Sequence, residues 1–309
     1  MSLLVRLGLS AVLLGAASCN KQGGTNTPDG GRGGKGAPVT GGIELRYGAA
    51  AAKLKQNGSI DMNTSGSGQF GQAAMEYSAL LEFSPSGDKL KVVWSFADIG
   101  KLDLQGMFKD DGGGDTKSVL KEQGKGAFLV DRRGELDEKA TEGLAENTAR
   151  REHFKKLGEE AKANGGKPPA GAGAAQILAL ADAMIALPDL PKDPIAVGKT
   201  VVEEEQAETE LGGSGVMMPT DTETKYTLVK IDDSGGQRIA ELQVEQSTSG
   251  ASEMQGGMIS LEGTIEGSIL FDVDAGLPVS YKFTRSTMIS FGQNSFETTM
   301  MMQASFEKG

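Results

Sequence analysis

The stretch 259-ISLEGTIEGSILFDV-273 alternates with period two. Ile259, Leu261, Ile265, Ile269, Phe271 and Val273 fall on one side, with Gly263 and Gly267 in the same phase, while Ser260, Glu262, Thr264, Glu266 and Ser268 fall on the other. Successive side chains of a strand point to opposite faces, so the pattern predicts a strand with one apolar and one wet face, its odd-numbered residues turned to the core. The next two runs continue it. Val279, Tyr281 and Phe283 are followed in phase by Arg285, Thr287, Ile289 and Phe291. Phe296, Thr298, Met300, Met302, Ala304 and Phe306 then oppose Glu297, Thr299, Gln303, Ser305 and Glu307. A face rich in Ser, Thr and Glu meets water, as antiparallel sheets permit. Asp274-Ala275-Gly276 predicts a three-residue hairpin with Gly276 left-handed, and Pro278 follows where no ladder donor is required.

Outward from this core the same grammar recurs. Ser234-Gly235-Gly236 separates the alternating runs Lys225–Ile231 and Arg238–Glu245. Ser86-Gly87-Asp88 separates Glu76–Phe83 from Lys89–Phe96 in the same way. Gly126–Asp131 followed by Gly134 mirrors Gly267–Asp272 followed by Gly276. Two matched landmarks in one order read either as a duplicated β unit or as two hairpins that share Gly turns. Between the halves the period changes. Leu136, Ala140 and Leu144, then Phe154, Leu157 and Ala161, stand at helical spacing in a charged segment, with a break expected near Gly143. Ala174–Ala186, AAQILALADAMIA, is apolar nearly all round and predicts a buried helix ended by Leu187-Pro188. The expected fold is mainly β (α+β): long antiparallel strands in a curved sheet or half-open barrel, with a helical insertion packed on it.

Composition removes several functions. The 309 residues include one His and one Cys, which excludes a two-His metal site, an internal disulfide and a thiolate zinc cluster. A net charge of −11 argues against nucleic acid as a partner. Glycine is abundant, at 45 residues, and only 16 residues are aromatic.

The first 20 residues carry an address. One positive charge, at Arg6, precedes the eleven-residue apolar run Leu7–Ala17, too short for a spanning helix but of signal-peptide length. Ala16, Ala17 and Ser18 lead into Cys19, the single cysteine. This arrangement resembles a bacterial lipoprotein signal with its lipobox, although Ala16 stands where Leu is usual. The resemblance implies that Cys19 carries a lipid and becomes the first mature residue. Asn20 rather than Asp then implies the outer membrane of the cell envelope. Lys21–Gly42 holds nine glycines in 22 residues and no apolar period, which predicts a flexible tether of roughly 25 Å root-mean-square span.

The expected organisation is a signal peptide over 1–18, a lipidated Cys19 and tether over 19–42, a first β unit over 43–136, a helical insertion over 137–187 and a second β unit over 188–309. The last three form one folded body. The run Leu190-Pro191-Lys192-Asp193-Pro194-Ile195-Ala196-Val197-Gly198-Lys199-Thr200-Val201 resembles a segment of an uncharacterised family of β-rich bacterial envelope lipoproteins, with Val201 where that family has Trp. This second resemblance implies fold and address and no activity.

Chemistry is sparse. His153 sits among Arg150, Arg151, Lys155 and Lys156 and reads as an exposed helix residue, since a general base needs an orienting partner and a pocket. Asp110, Asp111 and Asp115 flank three glycines without the ligand spacing of a calcium loop, so they read as a polar loop. Glu203-Glu204-Glu205 reads as an edge-strand or loop charge cluster. Met217, Met218, Met254, Met258, Met288, Met300, Met301 and Met302 crowd the second half, either filling a core or lining an adaptable apolar concavity. No catalytic, cofactor or metal residues are assigned. The leading expectation is a non-catalytic binding or structural module held at the membrane through Cys19, with a hydrophobic ligand or an envelope protein as its partner. The alternative is a carrier or chaperone of lipid or other hydrophobic molecules in a β-cup, and a carboxylate-based hydrolase comes third.

Overall fold

The computed structural model describes residues 42–48, 50–66, 69–103, 116–148, 187–210, 217–254 and 257–309, with isolated positions between 152 and 185. Ten antiparallel strands form one curved, unclosed sheet. They are β1 (Ala52–Gly66), β2 (Gln69–Ser86), β3 (Lys89–Asp103), β4 (Lys125–Val130), β5 (Thr200–Glu210), β6 (Met217–Asp232), β7 (Ile239–Met254), β8 (Gly257–Asp272), β9 (Leu277–Phe291) and β10 (Asn294–Lys308). The order across the sheet is β4-β3-β2-β1-β10-β9-β8-β7-β6-β5. One meander runs outward from the centre, and the second returns to it from the opposite edge. The first and last strands therefore pair in the middle, from Leu54 opposite Lys308 to Gly66 opposite Phe296.

The three late runs form β8, β9 and β10 in the expected phase, except at the start of β9, where a register shift places Pro278 and not Val279 opposite Phe271. One turn differs: Asp272 pairs with Leu277, so the connection has four residues, Val273 to Gly276. Its extra residue is accommodated by Asp272, whose Oδ1 accepts from the N–H of Asp274 at 3.0 Å and of Ala275 at 2.9 Å. The matched landmark in the first half has the same chemistry. Asp131 Oδ1 accepts from Arg133 N at 2.7 Å and Glu135 N at 3.0 Å, and Gly134 and Gly276 both take positive φ, 96° and 64°. A Cβ on Gly276 would lie 2.4 Å from Gly48 N, so glycine is required there for close approach as well as for φ.

Of the helical insertion expected over 137–187, the described residues show mainly the beginning. Helix α1 (Thr116–Gln123) precedes β4; α2 (Glu138–Glu142) and a 3₁₀ turn (Ala145–Asn147) follow it. Asp137 caps α2 by accepting from Ala140 N at 2.9 Å, and Gly143 ends it. Of these, α2 and the 3₁₀ turn close the edge of β4, whereas α1 packs against β3, with Leu120 fully buried in the core. Asn147 Oδ1 accepts from Ala127 N at 2.9 Å, its Nδ2 donates to Ala127 O at 2.8 Å, and Thr141 Oγ1 accepts from Leu129 N at 2.9 Å. One asparagine thus supplies the hydrogen bonds a neighbouring strand would give. The other edge, β5, carries Glu203, Glu204, Glu205 and Glu208 instead, and like charges discourage edge-to-edge pairing. Of Ala174–Ala186 only Ile185 lies within the described residues; it is helical and fully buried.

Candidate functional site

The two faces of the sheet have different chemistry. On the outer face, a shallow concavity of about 780 Å³ crosses the central strands. Its floor holds Ser59, Ser78, Ser268, Ser280 and Ser305, and longer side chains such as Glu76 and Lys282 stand around it. Ser78 Oγ donates to Asn57 Oδ1 at 2.8 Å, a link between neighbouring strands. Serine chemistry needs a base aligned on the hydroxyl, and none of the hydrogen bonds among the described residues joins these serines to one.

The inner face is built in transverse rows, because register carries each residue across the sheet. At one end it is a packed core. Gly58, Ala304, Tyr281, Ile269, Leu242 and Leu228 are in register on β1, β10, β9, β8, β7 and β6. Five of these residues, Ala304, Tyr281, Ile269, Leu242 and Leu228, belong to the apolar cluster that also holds Trp94, Leu81 and Phe271. Residues 42–48 and 187–195 plug this end. Tyr47 N donates to Arg132 O at 2.7 Å, Gly48 N to Gly276 O at 2.8 Å, and Leu190 N to Arg133 O at 2.7 Å. Tyr47 meets Phe271 edge-on at 5.4 Å and donates its hydroxyl to Pro188 O at 2.8 Å. Three buried polar groups are joined there. Gln56 Nε2 donates to Tyr77 Oη at 3.0 Å and to Tyr281 Oη at 3.3 Å, and burial pushes the Tyr281 phenol up to about 12.

Toward the middle the rows change. Ile60, Met302, Phe283, Gly267, Val244 and Tyr226 come next, then Met62, Met300, Arg285, Ile265, Gln246 and Thr224. Phe283, Met302 and Ile265 are only half-buried, as is Phe306 nearer the plug. The Phe283 ring lies across Gly267, where a Cβ would come 2.4 Å from it. Next is a polar row, Thr64, Thr298, Thr287, Gly263, Thr248 and Thr222. Its hydroxyls pair at 3.2 Å between Thr64 and Thr298 and at 3.1 Å between Thr222 and Thr248. Arg285 is 8% exposed and donates through Nε to Thr287 Oγ1 at 3.2 Å; burial pushes its guanidinium down to about 10, still protonated at neutral pH.

A carboxylate neighbourhood borders the plug. Water reaches the Asp189 side chain, yet the atoms packed around it, reinforced by Glu135, Asp131, Glu203 and Glu205, push it up to about 7. Among the described residues, no group of three His, Cys, Asp or Glu side chains is arranged to hold a metal ion.

Of the residues singled out in the sequence, Cys19, His153, Asp110, Asp111 and Asp115 lie outside the described residues. Glu203, Glu204 and Glu205 are on the edge strand β5. The methionines divide. Met218 and Met300 are buried and Met302 is half-buried on the inner face, whereas Met258, Met288 and Met301 are exposed on the outer one. Alternation sends neighbours such as Met301 and Met302 to opposite faces. The expectation that all odd-numbered residues of β8 enter a packed core is corrected, since Gly263, Ile265 and Gly267 remain half-exposed. Gln56 and Tyr47 escaped the sequence reading, because neither lies in an alternating apolar run. No family model matches the chain, and no curated protein matches it.

Proposed function

We propose that this chain is a non-catalytic binding module of the bacterial cell envelope, anchored to the outer membrane by lipid at Cys19 and spaced from it by the Gly-rich segment. The lipobox-like ending at Cys19 and the composition of residues 21–42 support the address. One observation of the fold supports the binding role. The inner face is packed at its plugged end, yet Phe283, Met302 and Ile265 in its middle keep solvent contact. A structural sheet has no reason to leave its apolar face unfinished at the centre, where burial contributes most. The same observation favours one ligand class, hydrophobic molecules held against this face, over an envelope protein docked on the outer one.

Two experiments test this reading. Cys19→Ala is expected to move the protein from the membrane pellet to the soluble envelope fraction with its melting temperature unchanged. Retention in the pellet at high salt would refute the anchor. Native mass spectrometry of the detergent-extracted protein is expected to show a co-purified hydrophobic molecule. A bare mass that stays bare after incubation with envelope lipid extract would refute the ligand class.

A further inference from the structure

The polar end of such a ligand is specified by the order of rows on β9 and β10. We infer that the inner face takes an amphiphile with one compact anionic head, a carboxylate or phosphate, whose head is received by Arg285 with Thr287 and Thr298 and whose tail runs toward Phe283 and Met302. The inference rests on the hydrophobic-ligand reading above.

Arg285 stands at the boundary between two chemistries. On one side, in register, lie the hydroxyls of Thr287 and Thr298, 3% and 4% exposed. On the other lie Phe283 and Met302, paired across β9 and β10 and half-buried. Its own cross-strand neighbours, Met300 and Ile265, are apolar. Placing a cation among apolar side chains costs several kcal/mol in desolvation, which an anion bound beside it would offset. A guanidinium offers five N–H donors in one plane, a fork that fits carboxylate or phosphate oxygens and serves several acceptors at once. Thr287 accepts at Nε and so fixes the fork's orientation. Arg285 stays charged at neutral pH although burial leaves it poorly hydrated, which strengthens its attraction for an anion.

The polarity of the two sides sets the ligand's direction. Residues two apart on a strand are separated by about 7 Å. A head at Arg285 therefore puts the first several methylenes over Phe283 and Met302, with Phe306 beyond. A methionine and a ring lying on glycine are adaptable surfaces for a flexible chain. The reverse orientation would lay methylenes on the threonine row. The carboxylates of Glu203 and Glu205 are on β5, four strands from β9, or roughly 19 Å along the sheet, too far to cancel the cation at this site.

The test compares a long-chain fatty acid with the fatty alcohol of the same length, as competitors for a fluorescent fatty acid on the full-length protein at neutral pH. The acid is expected to bind at least about tenfold more tightly, the lower range of a charge-assisted hydrogen bond. Arg285→Met should erase that preference while sparing the alcohol, and Phe283→Ala should weaken both alike. Equal binding of acid and alcohol to the native protein would overturn the role of Arg285 and leave the hydrophobic-ligand reading standing. Binding of neither would overturn both. If Arg285→Met fails to fold, the native comparison still decides. There, an acid preference that persists undiminished in Thr287→Val and Thr298→Val together would also count against the site.

Discussion

The inner face of this sheet is two surfaces in one. At the plugged end Phe271, Leu242, Leu228 and Leu81 are fully excluded from water, and two chain segments are hydrogen-bonded across them. A few rows along the same strands, Phe283, Met302 and Ile265 share the phase and the apolar character of that core but stay half-exposed. The strands do not differ; what packs against them does. Alternation determines which face a side chain joins, whereas burial is decided by the segments that arrive from elsewhere in the chain.

Substitutions should separate the two regions. The largest loss is expected at the plugged end. Phe271→Ala removes a side chain with 0% exposure and the edge-on partner of Tyr47, and should cost about 3–5 kcal/mol in denaturant unfolding. Gly276→Ala forces a Cβ against Gly48 N from a left-handed backbone. It should cost about 2 kcal/mol or more and loosen the plug, read as faster amide exchange at Gly48. A similar cost at a half-exposed position would break the distinction between the two regions.

Asp189 sharpens it through pH. Its folded value of about 7 lies above the ordinary carboxylate value near 3.9, so the folded state binds more protons than the unfolded one between them. That group's contribution therefore falls as pH rises through this window. Asp189→Asn should melt higher than the native protein at pH 8, and the gap should close by about pH 4. A gap that is constant with pH would mean that Asp189 is not held protonated. Smaller still is Ile265→Ser. A fully buried isoleucine is worth roughly 1.5–3 kcal/mol, but Ile265 is half-buried and about 1 kcal/mol or less is expected. Thr264→Ser, on the outer face next to it, should stay within about 0.5 kcal/mol.

The late hairpins were legible because β8, β9 and β10 alternate over their whole length with turn residues between them. β1 was not. Its inner phase reads Leu54, Gln56, Gly58, Ile60, Met62 and Thr64, and the two interruptions are functional parts of the core: Gln56 ties Tyr77 to Tyr281, and Gly58 leaves room for the Tyr77 ring. The pairing of β1 with β10 joins the two ends of the folded region, and no local pattern encodes that. Polar outer halves such as Met217–Thr224 of β6 hid its true length. At the site, Arg285 was visible as a charge in an inward phase. Its meaning depended on register with Thr298, Met300 and Met302, which only the assembled sheet provides.

The contrast between the two regions is tested most directly by one paired measurement on Phe271→Ala and Phe283→Ala: thermal melting together with ligand retention in native mass spectrometry. Phe283→Ala is expected to melt within a few degrees of the native protein and to lose its bound hydrophobic molecule. Phe271→Ala is expected to melt far lower, yet to keep the ligand at temperatures where it is folded. Equal loss of stability in both variants, with ligand occupancy unchanged by Phe283→Ala, would show that the middle of the inner face is ordinary core and would contradict the division.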